Sequence, residues 1–188
     1  MSLRLTDEQR QRYARHFPLP EVGEEGQLKL LSSSVLVVGA GGLGSPCSLY
    51  LATAGVGRIG LLDSDSADLT NLQRQILHGT PDVGRPKAES GRESLLHINP
   101  DIEVVALQQK IETENALDTI REWDVVVDGS DNFPTKFLLN DACVLSNKPL
   151  IHAGVLQHSG QIMTIVPRKG PCYRCIFPEP PPDGLVPT

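Results

Sequence analysis

Short β-branched runs alternate along this chain with longer stretches whose apolar residues recur at helical spacing. Ser34-Val-Leu-Val-Val-Gly39 leads into a glycine-rich turn, then a helical stretch over 48–54 that ends near Gly55 and Gly57, then Arg58-Ile-Gly-Leu-Leu-Asp63. A strand, a helix and a second strand joined this tightly make a βαβ unit. The alternation continues with a helix over 86–98, a strand over 102–107 and a helix over 113–122. The buried-type strand Asp124-Val-Val-Val-Asp128 and a helix over 134–146 follow. Strands over 149–155 and 160–166, separated by a turn at 157–160, predict an antiparallel hairpin at the end of the sheet. The expected fold is therefore α/β: a Rossmann-like, mostly parallel sheet with helices on both faces and antiparallel strands at its C-terminal edge. Ahead of the first strand, residues 6–31 read as helical, with Thr6 as N-cap and Gln9 at capping-box spacing. Residues 1–32 thus form a helical arm, and 178–188, which hold five of the 15 prolines, form an extended loop.

Composition narrows the class. A chain of 188 residues with 39% hydrophobic and 21% charged residues suits one soluble domain over 1–188. The formal net charge of −6 argues against nucleic acid as a partner. The N-terminal residues are polar and charged, without the apolar core of a secretory signal, and no stretch reaches the roughly 18 apolar residues of a membrane span. Cys47, Cys143, Cys172 and Cys175 meet no sign of an oxidising compartment, so a cytoplasmic location is expected.

Gly39-Ala-Gly41-Gly42-Leu-Gly44 contains G-x-G-x-x-G directly after a strand and opening a helix, the context in which that motif binds nucleotides. Glycines let the backbone turn tightly and approach phosphates, and the helix start presents free N–H groups to an anion. Asp63, at the end of the second strand, is placed to accept hydrogen bonds from ribose hydroxyls. NAD, FAD and ATP all use this fingerprint.

Three further segments belong beyond the carboxyl ends of the strands: Asp68-Leu-Thr-Asn71-Leu-Gln-Arg74-Gln75, Arg85-Pro-Lys87 and Asp128-Gly-Ser-Asp131-Asn132. Arg85 and Lys87 at a helix start oppose the helix dipole, a local rule broken beside an expected anion site. Arg74 and Lys87 can clamp a polyphosphate, or they are ordinary surface charges. Asp131 beside a triphosphate requires an intervening cation such as Mg²⁺, whereas Asp128, nearer the strand, can be structural. No His–Asp proton-relay pair stands out among His16, His78, His97, His152 and His158. This constellation favours ATP with Mg²⁺ over a nicotinamide cofactor. Gly170-Pro-Cys172-Tyr-Arg-Cys175 is half of a tetrahedral zinc site, with a redox dithiol as the alternative. Cys47 and Cys143, inside helices, read as buried small hydrophobes.

The strings RYARHF, VLVVGAGGLGSP, LLDSDSADLTNLQRQ, VGRPKAES, DVVVDGSDNF and GPCYRC, in this order and spacing, closely resemble the ThiF/MoeB-type adenylyltransferases, bacterial relatives of ubiquitin-activating enzymes. The resemblance implies adenylylation of the C-terminal Gly-Gly carboxylate of a ubiquitin-like sulfur-carrier protein, in thiamine, molybdopterin or thiolated-tRNA synthesis. It implies that Gly39, Gly41, Gly42 and Gly44 cradle the nucleotide and that Asp63 binds the ribose. Asn71, Arg74 and Lys87 would contact phosphates, and Asp131 would hold Mg²⁺ with Asn132 beside it. Arg15 matches an arginine that reaches into a partner subunit's site, which implies a homodimer. Cys172 and Cys175 match the first half of the family's zinc site, so Zn²⁺ is expected in the full-length protein. Family chains continue with a further cysteine and a second C-x-x-C, so a sequence ending at Val186-Pro187-Thr188 is expected to be truncated. The competing readings are an NAD-dependent oxidoreductase and a non-catalytic docking module.

Overall fold

The computed structural model describes residues 4–182. Its elements run α1 (Asp7–Arg12), α2 (Gly23–Leu31), β1 (Ser34–Val38), α3 (Gly44–Ala54), β2 (Arg58–Leu62), α4 (Lys87–Ile98) and β3 (Glu103–Leu107). They continue with α5 (Ala116–Arg121), β4 (Val125–Asp128), α6 (Phe133–Ser146), β5 (Leu150–Leu156), β6 (Ser159–Ile165) and the single turn α7 (Tyr173–Ile176). The six strands lie in the order β3-β2-β1-β4-β5-β6. All neighbours pair in parallel except β5 and β6, which form the expected hairpin around Gln157 in the left-handed region.

The apolar runs are explained by burial on both faces. Along β1, Val35 and Val37 join a cluster with Ala52 of α3 and Leu95 of α4, while Leu36 and Val38 face Ile120 of α5 and Leu139 of α6. A strand covered on both sides has no position left for polar residues. Chain reversal at β1 sets β4 beside it, in register from Val35↔Val125 to Val38↔Asp128. The carboxyl ends of β1, β2 and β4 therefore open at one edge, at the point where the strand order switches direction.

The N-terminal arm differs from the single helical stretch expected over 6–31. The Thr6–Gln9 capping box forms, with reciprocal bonds of 3.2 and 3.1 Å. The helix nonetheless stops at Arg12, and turns fill 13–22 before α2 begins. Pro18 and Pro20 supply no backbone N–H and disfavour helical backbone in the residues before them. Tyr13 anchors this break: it is buried against Gly55 at the C-terminal end of α3, and its hydroxyl accepts from Asn99 Nδ2 at 2.9 Å. Residues 178–182 carry no regular structure, as expected of the proline-rich tail, whose remainder lies outside the described residues. No helix among the described residues is long and apolar enough to cross a membrane.

Candidate functional site

The glycine loop is built by close backbone approach. Gly39 has φ of +93°, and a Cβ there would lie 2.8 Å from the Gly129 carbonyl oxygen. A Cβ on Gly44 would collide with the Gly39 carbonyl oxygen, so neither position admits a side chain without moving the loop. The segment after β4 thus crosses directly over the loop after β1. No side chain caps the N-terminus of α3; Ser45 N–H donates to Gly41 O at 2.9 Å and Pro46 has no N–H, but the N–H groups of Gly42, Leu43 and Gly44 make no hydrogen bond among the described residues and remain for an anion.

Asp63 is tied to this loop. One carboxylate oxygen accepts from the Ala40 N–H at 2.8 Å, and the other accepts from the Asp65 N–H at 2.8 Å. The Ala40 carbonyl lies 2.9 Å from His78 Nε2, so both ends of residue 40 are held by side chains. His78 Nδ1 faces Ser90 Oγ of α4 at 2.9 Å. Sequence reasoning assigned His78 no place, because the bend that brings it under residue 40 is formed by the irregular segment 63–86.

That segment also delivers the expected cation. Arg74 runs across the glycine loop, its Cδ 3.4 Å from where a Cβ on Gly42 would stand, and its Nη2 donates to Asn71 Oδ1 at 3.0 Å. Lys87, the first residue of α4, is only 6% exposed, and its ammonium meets the exposed Asp65 carboxylate at 3.3 Å. Arg85 has a different place. Its guanidinium binds Asp82 at 2.7 Å and Glu93 at 2.6 Å, so these carboxylates match the charge that looked misplaced in sequence.

Beyond β4, Asp131 is exposed. Asn132 is the N-cap of α6, its side-chain oxygen accepting from the Thr135 N–H at 2.9 Å, so that oxygen is committed locally. Asp128 is fully buried. His152 Nδ1 donates to its Oδ2 at 2.7 Å, Ser130 donates through N–H and Oγ, and Lys136 Nζ lies at 3.2 and 3.4 Å from its two oxygens. Burial alone would raise the Asp128 carboxyl, but the His152 hydrogen bond, the Lys136 charge and the Ser130 hydroxyl together hold it below the usual carboxylate range. No His–Asp pair stands out in the sequence, yet the structure brings His152 and Asp128 into contact. Asp128 and His152 are cross-strand partners in the β4–β5 register, a pairing visible only once the strand order is known. With His152 1% exposed and its other ring nitrogen 3.1 Å from Gln161 Nε2, the pair faces inward and is committed to structure.

The remaining predicted positions lie apart. Arg15 is exposed in the turns after α1 and makes no ion pair or side-chain hydrogen bond among the described residues. Tyr13 fixes that turn at the far end of α3, whose 11 residues rise about 16 Å from the glycine loop. Cys172 caps α7 and its Sγ lies 3.7 Å from that of Cys175. Two thiols are half a tetrahedral zinc shell, and no group of three or more His, Cys, Asp or Glu among the described residues could hold a metal ion. Cys143 is buried, and burial with the nearby Asp128 charge pushes its thiol up to about 12; Cys47 is half-buried, which also raises its thiol.

Known proteins resemble this chain in sequence and fold. The chain is 49% identical over 191 residues to a sulfur carrier protein adenylyltransferase from Thermus thermophilus, covering 99% of this chain and 70% of that protein. It is 54% identical over 175 residues to the adenylyltransferase and sulfurtransferase MOCS3 of Aedes aegypti, covering 93% of this chain and 40% of the relative. The crystal structure of E. coli MccB with ATP superimposes with a TM-score of 0.79 at 35% identity, over 87% of this chain and 50% of that one. The chain therefore spans about half or less of two of these relatives. Residues 13–188, from the Tyr13 anchor through the glycine loop to the cysteine pair and on to the end of the sequence, match the ThiF family throughout, and the chain belongs to that family.

Proposed function

We propose that this chain transfers the adenylyl group of ATP to the C-terminal Gly-Gly carboxylate of a ubiquitin-like sulfur-carrier protein. The observation that carries the reading is Lys87, a buried ammonium with one long contact to the exposed Asp65 carboxylate; Asp65 N–H in turn donates to Asp63, which holds the glycine loop that Arg74 overlies. A buried cation so lightly paired costs stability unless an anion joins it. The names of the Thermus thermophilus and Aedes aegypti relatives, both adenylyltransferases, and the ATP in the MccB structure favour ATP over a nicotinamide cofactor.

In the reaction a carboxylate oxygen forms a bond to the α-phosphorus while the α–β bridging P–O bond breaks and pyrophosphate leaves. The nucleophile is ionised at neutral pH, so no general base is required. That suits a site whose His–Asp pair faces inward. The barrier is the approach of two anions, which positioning and fixed positive charge lower. Gly39–Gly44 and the start of α3 hold phosphate oxygens, Asp63 orients the ribose, and Arg74, Asn71 and Lys87 neutralise the polyphosphate. Asp131 fits Mg²⁺ as a lone exposed carboxylate, since that ion commonly takes one or two carboxylates plus substrate phosphates, and the ion would offset charge on the departing pyrophosphate. Zinc has two of its four ligands here, so no step involves it. Arg15, held far from its own loop, serves the site of a second copy in a homodimer.

Carrier-dependent ATP–pyrophosphate exchange tests this reading. Wild-type protein should catalyse exchange only with a Gly-Gly-ended carrier, with an acyl-adenylate detected by mass spectrometry. Asp131→Ala should lower the rate roughly a hundredfold or more. Exchange by that variant at wild-type rate would remove Asp131 from the metal role, and absence of exchange with any carrier would remove the reaction.

A further inference from the structure

Gln75 directly follows Arg74. It is 5% exposed, and its backbone is fully engaged: its N–H donates to Asn71 O at 3.0 Å and its carbonyl accepts from His78 N at 3.1 Å. Its side-chain amide is not. The oxygen is buried without any hydrogen-bond partner, and the amide takes part in no hydrogen bond among the described residues. A buried, unpartnered amide oxygen is a standing cost that native proteins seldom carry, so the side chain is kept for its amide nitrogen, a free donor.

Its location is specific. A Cβ on Gly41 would find one neighbour within 4 Å, Gln75 Nε2 at 3.5 Å, and a Cβ on Gly42 would have the Arg74 side chain as its nearest neighbour. Two consecutive side chains thus lie over two consecutive glycines, and the space left by the missing Cβ atoms is bounded by an amide and a guanidinium. Whatever fills that space meets both. An amide nitrogen beside a guanidinium donates to an anion, and the backbone N–H groups of Gly42, Leu43 and Gly44, which make no hydrogen bond among the described residues, belong to the same loop.

We propose that Gln75 is a nucleotide-binding residue whose side-chain amide donates to a phosphate oxygen seated over Gly41 and Gly42. The assignment rests on the ATP-binding reading above and deepens it. Gln75 and Arg74 divide the work, the arginine supplying charge and the glutamine a fixed neutral donor that fits one oxygen position.

The test is calorimetric titration of α,β-methylene-ATP with Mg²⁺ into wild type, Gln75→Leu, Gln75→Glu and Arg74→Ala, paired with melting temperatures of the ligand-free proteins. Gln75→Leu should weaken nucleotide binding roughly tenfold, the scale of a lost hydrogen bond to a charged group. Its ligand-free melting temperature should hold or rise, because the substitution removes an orphaned amide and keeps the volume. Gln75→Glu should bind still more weakly, as a carboxylate there repels phosphate. Wild-type affinity in the leucine variant, with Arg74→Ala impaired, would overturn the Gln75 assignment and leave the ATP reading intact. Wild-type affinity in the glutamate variant would overturn the donor role, as would a lowered ligand-free melting temperature with affinity unchanged. Failure of the wild type to bind the analogue would instead strike the ATP reading itself.

Discussion

Replacing Lys136 with methionine removes the cation of a buried network while keeping the length of the side chain. Lys136 Nζ contacts both oxygens of the fully buried Asp128 at 3.2 and 3.4 Å and donates to the carbonyls of Ser130 and Ala153 at 2.7 and 2.8 Å. After Lys136→Met the carboxylate keeps Ser130 and His152 but loses its counter-charge, and both carbonyls lose a donor. Breaking a buried pair from one side typically costs about 4 kcal/mol, against about 5–15 kcal/mol of total stability for a domain. The variant should therefore fold but unfold at a clearly lower urea midpoint with an unchanged slope. Adding Asp128→Asn should recover part of the loss, because the charge left unpaired is then gone; a coupling of roughly 2 kcal/mol is expected from the double-mutant cycle. A loss below about 1 kcal/mol in the single variant, or strictly additive losses in the double, would refute the reasoning.

The same network makes an acid limb. The Asp128 carboxyl is held below its unfolded value, so its stabilisation is complete above roughly pH 3.9 and disappears as pH falls through the lowered folded value. Asp128→Asn should flatten that limb in urea midpoints measured across acidic pH, and an unchanged limb would contradict the assignment. Gly44→Ala should cost roughly 2 kcal/mol or more and abolish ATP binding, since the new Cβ falls on the Gly39 carbonyl; wild-type nucleotide affinity by calorimetry would show that the loop yields easily. If Arg15 acts across a dimer, Arg15→Ala and Asp131→Ala proteins should each be slow in exchange but recover activity when mixed, and no recovery would place Arg15 outside the partner site.

What could be read without coordinates depended on how local the cause was. The β1 run was legible because burial on both faces leaves an apolar residue at every position, and the glycine loop because strand, turn and helix start are contiguous. The break at 13–22 was missed although Pro18 and Pro20 announce it, because the capping box at Thr6 pointed to a helix without fixing where it stops. The Asp128–His152 pair was missed for a deeper reason: the two residues meet only through parallel pairing of β4 with β5, and Lys136 reads in sequence as one more helix-surface cation. Most of the remaining site is carried by residues 63–86, a long irregular excursion between β2 and α4. Bonds of 2.8 Å from Ala67 N–H to Arg85 O and from Gly84 N–H to Ala67 O close it on itself. Connections of that length in compact folds commonly serve function. This one buries Gln75, Leu77 and His78 and so fixes Arg74 over Gly42. Its fold is therefore part of the site, and variants that loosen it, such as Leu77→Ala, should weaken nucleotide binding before they unfold the sheet.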